Sequence, residues 1–534
     1  MKKRGYVFVC ILFIISIFST GCSIKIASNK HELESEKIIM KANGNHKYKS
    51  IDFKLGQKYI KIKNMKDSPY YIRGSMSVPT DMKNEKLKPV LIIHGCHDNN
   101  NEKRYDTGFK YLTDFLAQNG YLGISIDVNS AYDWKYGDNL EYIKIPIIVD
   151  EHIKTLQKAD KGEGNFGVDL KNKIDFKNIS MMGHSTGGEV VFNIVEKQRK
   201  KNININTLLA VAPTNNIETN FNVNIDNTSI LVSGLDGDVS DLCGLSIYNQ
   251  IRKKDNINIL AATVLENANH NYFNSEVKSN DAKNLGVNLS KQIKREQQEK
   301  FLQEFVVNYL DTVYKGKMKN TIYDGELTNI KEINKESVYT YLSSSKKNEI
   351  IDIKNIEDFK SNTTDIKLVK DSSNINKDTA IGIDLPGSND FSTNLLNVKW
   401  KNKRAKLSFK PNIKDFSNYD NVSINVMIDG MDSLNEKNKP QGMSIEFIDS
   451  KNQSDIVEIN KESKILLYPK GKEERLELEG EKPIVYWGEI TPMTNIRIPL
   501  RTLENIDLTC VNKINILFNK SDSGGVMFES FSLN

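Results

Sequence analysis

The sequence predicts a mostly parallel sheet flanked by helices over residues 51–320, followed by an all-β sandwich over 349–534. The first part is indicated by short β-rich runs that alternate with amphipathic stretches up to about residue 317. The second is indicated by the loss of helical periodicity after about residue 339, where β-type runs recur between clusters of Asn, Asp, Ser and Gly. A charged, aperiodic stretch at 324–337 predicts a linker, which we place at 321–348.

The elements follow from these patterns in chain order. In the first part, strands are predicted at 59–63, 71–78, 90–94, 121–127, 179–183, 208–212, 229–233 and 259–265. The stretches of helical periodicity between and after them predict helices at 107–118, 142–158, 188–200, 241–253 and 288–314. In the second part, the clearest strands are predicted at 380–385, 406–409, 422–428, 443–447, 495–499, 513–518 and 526–531.

Composition excludes several classes of protein. The 534 residues carry 74 Lys+Arg against 69 Asp+Glu, a formal charge of only +5, so no basic field indicates nucleic-acid binding. With 38% hydrophobic residues, the chain can form one large core or two ordinary ones but is not a polytopic membrane protein. Five cysteines are too few for a disulfide scaffold.

The N-terminus has the pattern of an export signal. Basic residues at 2–4 precede an apolar run at 6–18 and the string STGC at 19–22. This resembles a bacterial lipoprotein signal peptide, which implies lipidation of Cys22 and a lipid-anchored, extracytoplasmic protein. A secretory signal without lipidation and an uncleaved anchor remain alternatives. The polar stretch 23–50 lacks apolar periodicity and is predicted to be a tether.

One short motif carries the chemistry. The string GHSTG at 183–187 lies between a predicted strand and a predicted helix. A sharp strand-to-helix turn leaves no room for side chains near its centre, so Gly183 and Gly187 suit it while Ser185 projects from the sheet edge. This places Ser185 as a candidate nucleophile.

A serine nucleophile needs a base and a carboxylate that orients the base. Asp236 follows the predicted strand 229–233, and His270 follows the predicted strand 259–265. Only seven histidines occur in the chain, so a histidine in this loop is a selective observation. Asp238 is the alternative acid.

An oxyanion requires two backbone N–H donors, of which one belongs to the residue after the nucleophile, Thr186. The other is expected in the loop after the strand at 90–94, where Gly95 allows a turn. Cys96 is the predicted donor and His97 the alternative.

Together these motifs resemble the α/β-hydrolase superfamily, particularly its secreted esterases, lipases and dienelactone-hydrolase-like members. The motifs are IIHG at 92–95, GHSTG at 183–187, the acid loop at Asp236 and NHNYF at 269–273. The resemblance covers about residues 51–317. It implies the α/β-hydrolase fold and hydrolysis of carboxylic esters without a cofactor or metal, by the triad Ser185, His270 and Asp236. A peptidase or acyltransferase with the same triad, and an inactive binding lipoprotein, remain alternatives.

Three expectations concern substrates and pairing. The connection 213–228 is short and polar, which predicts an open site without a large lid, and Trp134 and His97 are predicted to contact the substrate. The region 349–534 resembles the jelly-roll modules of carbohydrate-active enzymes, which implies glycan binding through Trp400, Tyr486 and Trp487. Core aromatic residues in a module that only spaces the enzyme are the alternative. Whether Cys96 and Cys243 pair is open.

Overall fold

The computed structural model describes residues 29–82, 85–97, 103–133, 135, 140–215, 219–221, 223, 225–252, 257–344, 346–371, 395–477, 483–487 and 493–534. The strands up to residue 344 are β1 (Asn29–Glu32), β2 (Ser35–Ile38), β3 (Tyr48–Ile60), β4 (Ser68–Pro79), β5 (Lys88–Ile93), β6 (Tyr121–Ile126), β7 (Ile179–His184), β8 (Ile205–Val211), β9 (Asn227–Ser233), β10 (Ile259–Leu265), β11 (Asn329–Ile333) and β12 (Glu336–Ser344). The helices are α1 (Lys110–Gln118), α2 (Glu141–Asp160), α3 (Thr186–Arg199), α4 (Gly244–Ile251) and α5 (Arg295–Lys315).

Eleven of these strands form one sheet, in the order β2-β11-β12-β10-β9-β8-β7-β5-β6-β4-β3. The central neighbours β10, β9, β8, β7, β5 and β6 run parallel. The pairs β3–β4 and β4–β6 at one side, and β10–β12 and β11–β12 at the other, are antiparallel. Because parallel neighbours end at the same edge, the loops after β5, β7, β9 and β10 meet there.

Hydrophobic cores cover both faces of this sheet. Helices α2, α3 and α4 pack on one face, through residues such as Ile148, Val190 and Ile247. Helices α1 and α5 pack on the other, through residues such as Leu112 and Phe305. The central strands are buried on both sides, which explains their nearly continuous apolar sequence.

The predicted fold class, the α/β-hydrolase fold with a mostly parallel sheet flanked by helices and followed by a jelly-roll sandwich, is wrong. Among the residues that the structure describes, strands account for 35% and helices for 23%, in five helices, and the large sheets are mixed. The sequence pattern missed strands at both edges. Eleven of the thirteen positions in β3 are wholly or partly exposed, and buried and exposed positions do not alternate along it, so hydrophobic periodicity is weak there.

The remaining residues form two six-stranded sheets and a separate hairpin. Their strands are β13 (Asn348–Glu349), β14 (Lys360–Ser361), β15 (Ile366–Asp371), β16 (Leu395–Trp400), β17 (Lys406–Phe409), β18 (Asn421–Ile428), β19 (Met443–Asp449), β20 (Ser454–Ile459), β21 (Glu473–Leu476), β22 (Ile484–Trp487), β23 (Thr494–Pro499), β24 (Val511–Leu517) and β25 (Gly524–Leu533). One sheet has the order β1-β20-β19-β24-β17-β14, and the other has β15-β16-β25-β18-β23 with β13 beside β25. Their facing apolar side chains form one core.

Trp400 belongs to that core and is not a stacking surface for a glycan. Its side chain is fully buried and its ring stacks on Phe518 at 4.3 Å between centroids. The predicted strand 380–385 and the side chains of Tyr486 and Trp487 lie outside the described residues. Glycan binding by residues 349–534 therefore stays a prediction that no longer includes Trp400.

Residues 29–50, which the sequence predicts as part of a tether, connect the two folded parts. Strand β1 pairs in parallel with β20 of the C-terminal sheets, whereas β2 pairs in parallel with β11 of the large sheet. Leu33 between them is buried in the C-terminal core. The predicted linker 321–348 likewise contains β11 and β12, which extend the large sheet. Arg252 and Glu529 add a buried ion pair across the boundary.

Candidate active site

Ser185 lies at the sharp turn between β7 and α3. Its backbone has φ 58° and ψ −130°, a conformation that costs a non-glycine residue energy and that concentrates at functional sites. A Cβ on Gly183 would lie 2.1 Å from the Gly187 carbonyl oxygen, and one on Gly187 would lie 2.6 Å from the Ile93 carbonyl oxygen. Both glycines of the motif are therefore required by close backbone contacts at this turn.

Asp236 and His270 form a buried pair in the loops after β9 and β10. His270 Nδ1 lies 2.9 Å from Asp236 Oδ2, and both side chains are at most 2% exposed. The other oxygen of Asp236 accepts the backbone N–H groups of Asp238 and Val239, at 3.1 and 2.6 Å. This geometry favours Asp236 over Asp238 as the carboxylate that orients His270.

The electrostatics of the pair suit a base. Burial alone would lower the pKa of His270, but the adjacent Asp236 carboxylate outweighs it, with smaller contributions from Asp238 and Asp281. The pKa of His270 is therefore raised above its ordinary value. The hydrogen bond that Nδ1–H of His270 donates to Asp236 also fixes the tautomer that leaves Nε2 free to accept a proton.

His184, the residue before Ser185, ties the nucleophile turn to the histidine loop. Its Nε2–H donates to the carbonyl oxygen of His270 at 3.1 Å, and the two rings lie 4.7 Å apart between centroids. Burial lowers the pKa of His184 well below its usual value, so this histidine is neutral. The contact brings the Ser185 turn against His270.

The second ring nitrogen of His270, Nε2, faces away from Asp236. Among the described residues, His270 Nε2 has no hydrogen-bond partner, so no hydrogen bond joins it to Ser185 in this structure. Such bonds are often long in free enzymes and shorten when substrate binds. The nearest carboxylate to Nε2 is that of Asp238, whose Oδ2 lies 3.5 Å away.

The loop after β5 lies directly against the serine. A Cβ on Gly95 would lie 2.5 Å from Ser185 Cβ and 3.1 Å from its Oγ, so this residue must be glycine for the loop to approach. Within the described part of the chain, no hydrogen bond is made by the backbone N–H of Cys96 or of Thr186. Thr186 is the first residue of α3, where N–H groups have no partner within the helix. These two N–H groups belong to the residue after Ser185 and to the residue after Gly95, so both are close to Ser185 in the chain or through the Gly95 contact.

His94 holds this loop in place. Its Nδ1–H donates to the Gly95 carbonyl oxygen at 2.8 Å, and its Nε2 accepts the Val128 backbone N–H at 3.0 Å. The hydroxyl of Tyr132 donates to the carbonyl oxygen of His94 at 3.2 Å. The contacts that His94 makes with Gly95, Val128 and Tyr132 therefore hold the loop, and none of them uses the side chain of Cys96.

His97 and Cys96 are uncharged at neutral pH. Burial and the neighbouring histidines lower the pKa of His97 to about 3, and its ring packs on Tyr105 at 4.3 Å. Cys96 is exposed as a residue, but packing around its thiol and the carboxylates of Glu141 and Asp238 raise its pKa to about 11. A thiol with that pKa is a poor nucleophile.

The other predicted residues have different outcomes. Trp134 and Cys22 lie outside the described residues. Cys96 and Cys243 do not pair: each is a free thiol, and Cys243 Sγ–H donates to the Pro213 carbonyl oxygen at 3.2 Å. In the described ranges, no group of three or more His, Cys, Asp or Glu side chains could hold a metal ion. No helix of the described chain is long and apolar enough to cross a bilayer.

Asp281 is a site residue that the sequence did not indicate. Its buried carboxylate accepts three backbone N–H groups, from Gly237 at 2.9 Å, His270 at 3.0 Å and Asn271 at 3.0 Å. It therefore joins the acid loop to the histidine loop. No sequence signal could have found it, because its partners are main-chain groups that every non-proline residue carries.

Comparisons with known proteins assign no family to the chain. A scan against models of protein families finds no match, and a search of curated proteins finds none either.

Proposed function

We propose that this protein is a serine hydrolase of carboxylic esters. The observation that carries the proposal is the buried Asp236–His270 pair, with Nδ1 and Oδ2 2.9 Å apart, beside a strained Ser185 with two free backbone N–H groups around it. These are the parts that nucleophilic acyl transfer requires: an activated hydroxyl, an oriented base and donors for an oxyanion.

In the first half of the reaction, Ser185 Oγ bonds to the ester carbonyl carbon while its proton passes to His270 Nε2. The carbonyl oxygen becomes an oxyanion that accepts hydrogen bonds from the N–H groups of Cys96 and Thr186. The bond between carbon and the alcohol oxygen then breaks, and His270 returns the proton to that oxygen. An acyl-enzyme and a free alcohol result.

In the second half, water replaces the serine as nucleophile. It loses its proton to His270 Nε2 as its oxygen bonds to the acyl carbon, and the bond to Ser185 Oγ then breaks as His270 returns the proton to that atom. The products are a carboxylic acid and the original enzyme. Asp236 stabilises the imidazolium of His270 in both halves and stays ionised.

Turnover of p-nitrophenyl acetate and butyrate by the chain from residue 29 tests the proposal, beside the variants Ser185→Ala and Ser290→Ala. Ser290 is an exposed serine without a place in the site, so it controls for the substitution itself. We expect turnover in the wild type and in Ser290→Ala, and a loss of at least about a thousandfold in Ser185→Ala. Equal turnover in all three would show that Ser185 is not the nucleophile. A folded protein that hydrolyses neither ester would favour a peptidase, an acyltransferase or a binding protein.

We also propose that the protein is lipid-anchored outside the cytoplasm through Cys22, on the strength of the leader sequence alone. Metabolic labelling of the full chain with a radioactive fatty acid tests this. We expect incorporation into the wild type and none into Cys22→Ser, whereas equal incorporation, or none into either, would contradict the anchor.

A further inference from the structure

Asp238 lies close to Nε2 of His270, and its backbone is held in the turn after β9. Its Oδ2 is 3.5 Å from His270 Nε2, and its charge also contributes to the raised pKa of the Cys96 thiol. Its backbone N–H donates to Asp236 Oδ1 at 3.1 Å, which holds this residue in the tight turn after β9. The side chain is 63% exposed, and His270 is its only ion-pair partner among the described residues.

The position of Asp238 relates it to the alcohol half of the substrate. In the proposed reaction, His270 Nε2 delivers its proton to the alcohol oxygen, so that oxygen must come within hydrogen-bond distance of Nε2. Because Asp238 Oδ2 is 3.5 Å from the same nitrogen, it is within reach of groups on the carbon atoms that follow this oxygen. Asp236 binds the other ring nitrogen, Nδ1, so Asp238 is not needed to orient His270.

We propose that Asp238 is a specificity-determining residue. It selects esters whose alcohol part carries a free hydroxyl on the carbon adjacent to the one that bears the ester oxygen, as polyol and sugar esters do. The inference rests on the proposed ester hydrolysis. An ionised carboxylate only accepts hydrogen bonds, so it favours a donor at this place and disfavours an anion. When the alcohol oxygen is within hydrogen-bond distance of His270 Nε2, such a hydroxyl is within reach of Asp238 Oδ2. A substrate with a cationic group at this place would gain little binding energy, because water screens an exposed ion pair.

Two esters of equal size test the proposal. The alcohol parts of 2-hydroxyethyl acetate and propyl acetate differ only by a hydroxyl in place of a methyl group, and a pH-stat follows the release of acetic acid from both. We expect kcat/KM of the wild type to favour the hydroxyl ester about tenfold, as one hydrogen bond to a charged acceptor provides. We expect Asp238→Ala to abolish that ratio and Asp238→Asn, which retains one acceptor oxygen, to keep part of it. Glu276→Gln, which removes an exposed charge from the histidine loop, should keep the full ratio.

The possible outcomes are distinguishable. A preference that survives in Asp238→Ala, or a wild type that hydrolyses both esters equally, overturns the role of Asp238 and leaves the proposed function standing. Acetylcholine preferred over both esters, with that preference lost in Asp238→Ala, assigns the carboxylate to a cation and overturns the hydroxyl proposal. Hydrolysis of neither ester, nor of p-nitrophenyl acetate, refutes the proposed function, and the inference falls with it.

Discussion

The substitution Asp281→Asn tests whether one buried carboxylate aligns the two loops of the proposed triad. Asp281 Oδ2 accepts the N–H groups of Gly237 and His270, and Oδ1 accepts that of Asn271. Asparagine has one acceptor oxygen, so its amide NH₂ must face at least one of these donors. Loss of one hydrogen bond to a charged acceptor costs about 1.5–3 kcal/mol. If the catalytic arrangement bears that cost, kcat/KM falls about ten- to a hundredfold.

The pH dependence of kcat/KM distinguishes an effect of the Asp281 charge on His270 from a purely structural role of Asp281. His270 accepts a proton only when neutral, so kcat/KM falls as pH drops through its pKa. The negative charge of Asp281 contributes to raising the pKa of His270, so its removal lowers that pKa. The acid limb of the kcat/KM profile should therefore move to lower pH in Asp281→Asn.

The assay is ester hydrolysis from pH 4 to 9 by wild type, Asp281→Asn and Asp169→Asn. Asp169 is an exposed carboxylate that pairs with Lys173, away from the loops of the site, and controls for loss of one charge. Wild-type kcat/KM with an unmoved acid limb in Asp281→Asn would refute the reasoning. A loss of kcat/KM that is uniform across pH would leave a structural role only.

Three further substitutions test other parts of the account. Gly95→Ala places a Cβ 2.5 Å from Ser185 Cβ, and we expect hydrolysis of p-nitrophenyl acetate to fall at least about a hundredfold with little change in circular dichroism; a smaller loss would show that the loop can retreat. Arg252→Met removes the guanidinium that pairs with the buried Glu529 carboxylate, and urea unfolding should show a loss of about 3–5 kcal/mol, whereas an unchanged midpoint would show that this ion pair does not stabilise the boundary. Leu33→Asp puts a charge into the C-terminal core beside β1, and should lower Tm and expose the boundary to limited proteolysis; a wild-type proteolysis pattern would contradict a connecting role for residues 29–38.

Sequence periodicity located the central strands and helices more closely than the edges. The predicted strand 229–233 corresponds to Asn227–Ser233, and the predicted helix 188–200 to Thr186–Arg199. Buried strands have continuous apolar runs, and helices that cover them have a strong period. The edge strand β2 and its neighbour β11 are short and partly exposed, so their sequences resemble loops. For that reason the sequence predicts a tether and a linker where the structure has strands, and the fold class it predicts is wrong.

The site could be predicted in part for a similar reason. Ser185 stands between glycines that the turn requires, so its sequence context is distinctive. The sequence predicts Asp236 as the acid and leaves Asp238, two positions further along the chain, as the alternative, because the two carboxylates differ only in the ring nitrogen of His270 that each faces. Backbone donors and the carboxylate of Asp281 depend on main-chain geometry and leave no pattern of residue types.

The most direct test of the central claim is covalent labelling by a fluorophosphonate, with the modified residue located by mass spectrometry of proteolytic peptides. The probe reacts with serines that a neighbouring base activates. We expect one adduct on Ser185 in the wild type, with the rate of labelling greatly reduced in His270→Gln because the base is absent. A folded wild type that acquires no adduct, or an adduct on another serine, would contradict the proposed catalytic site.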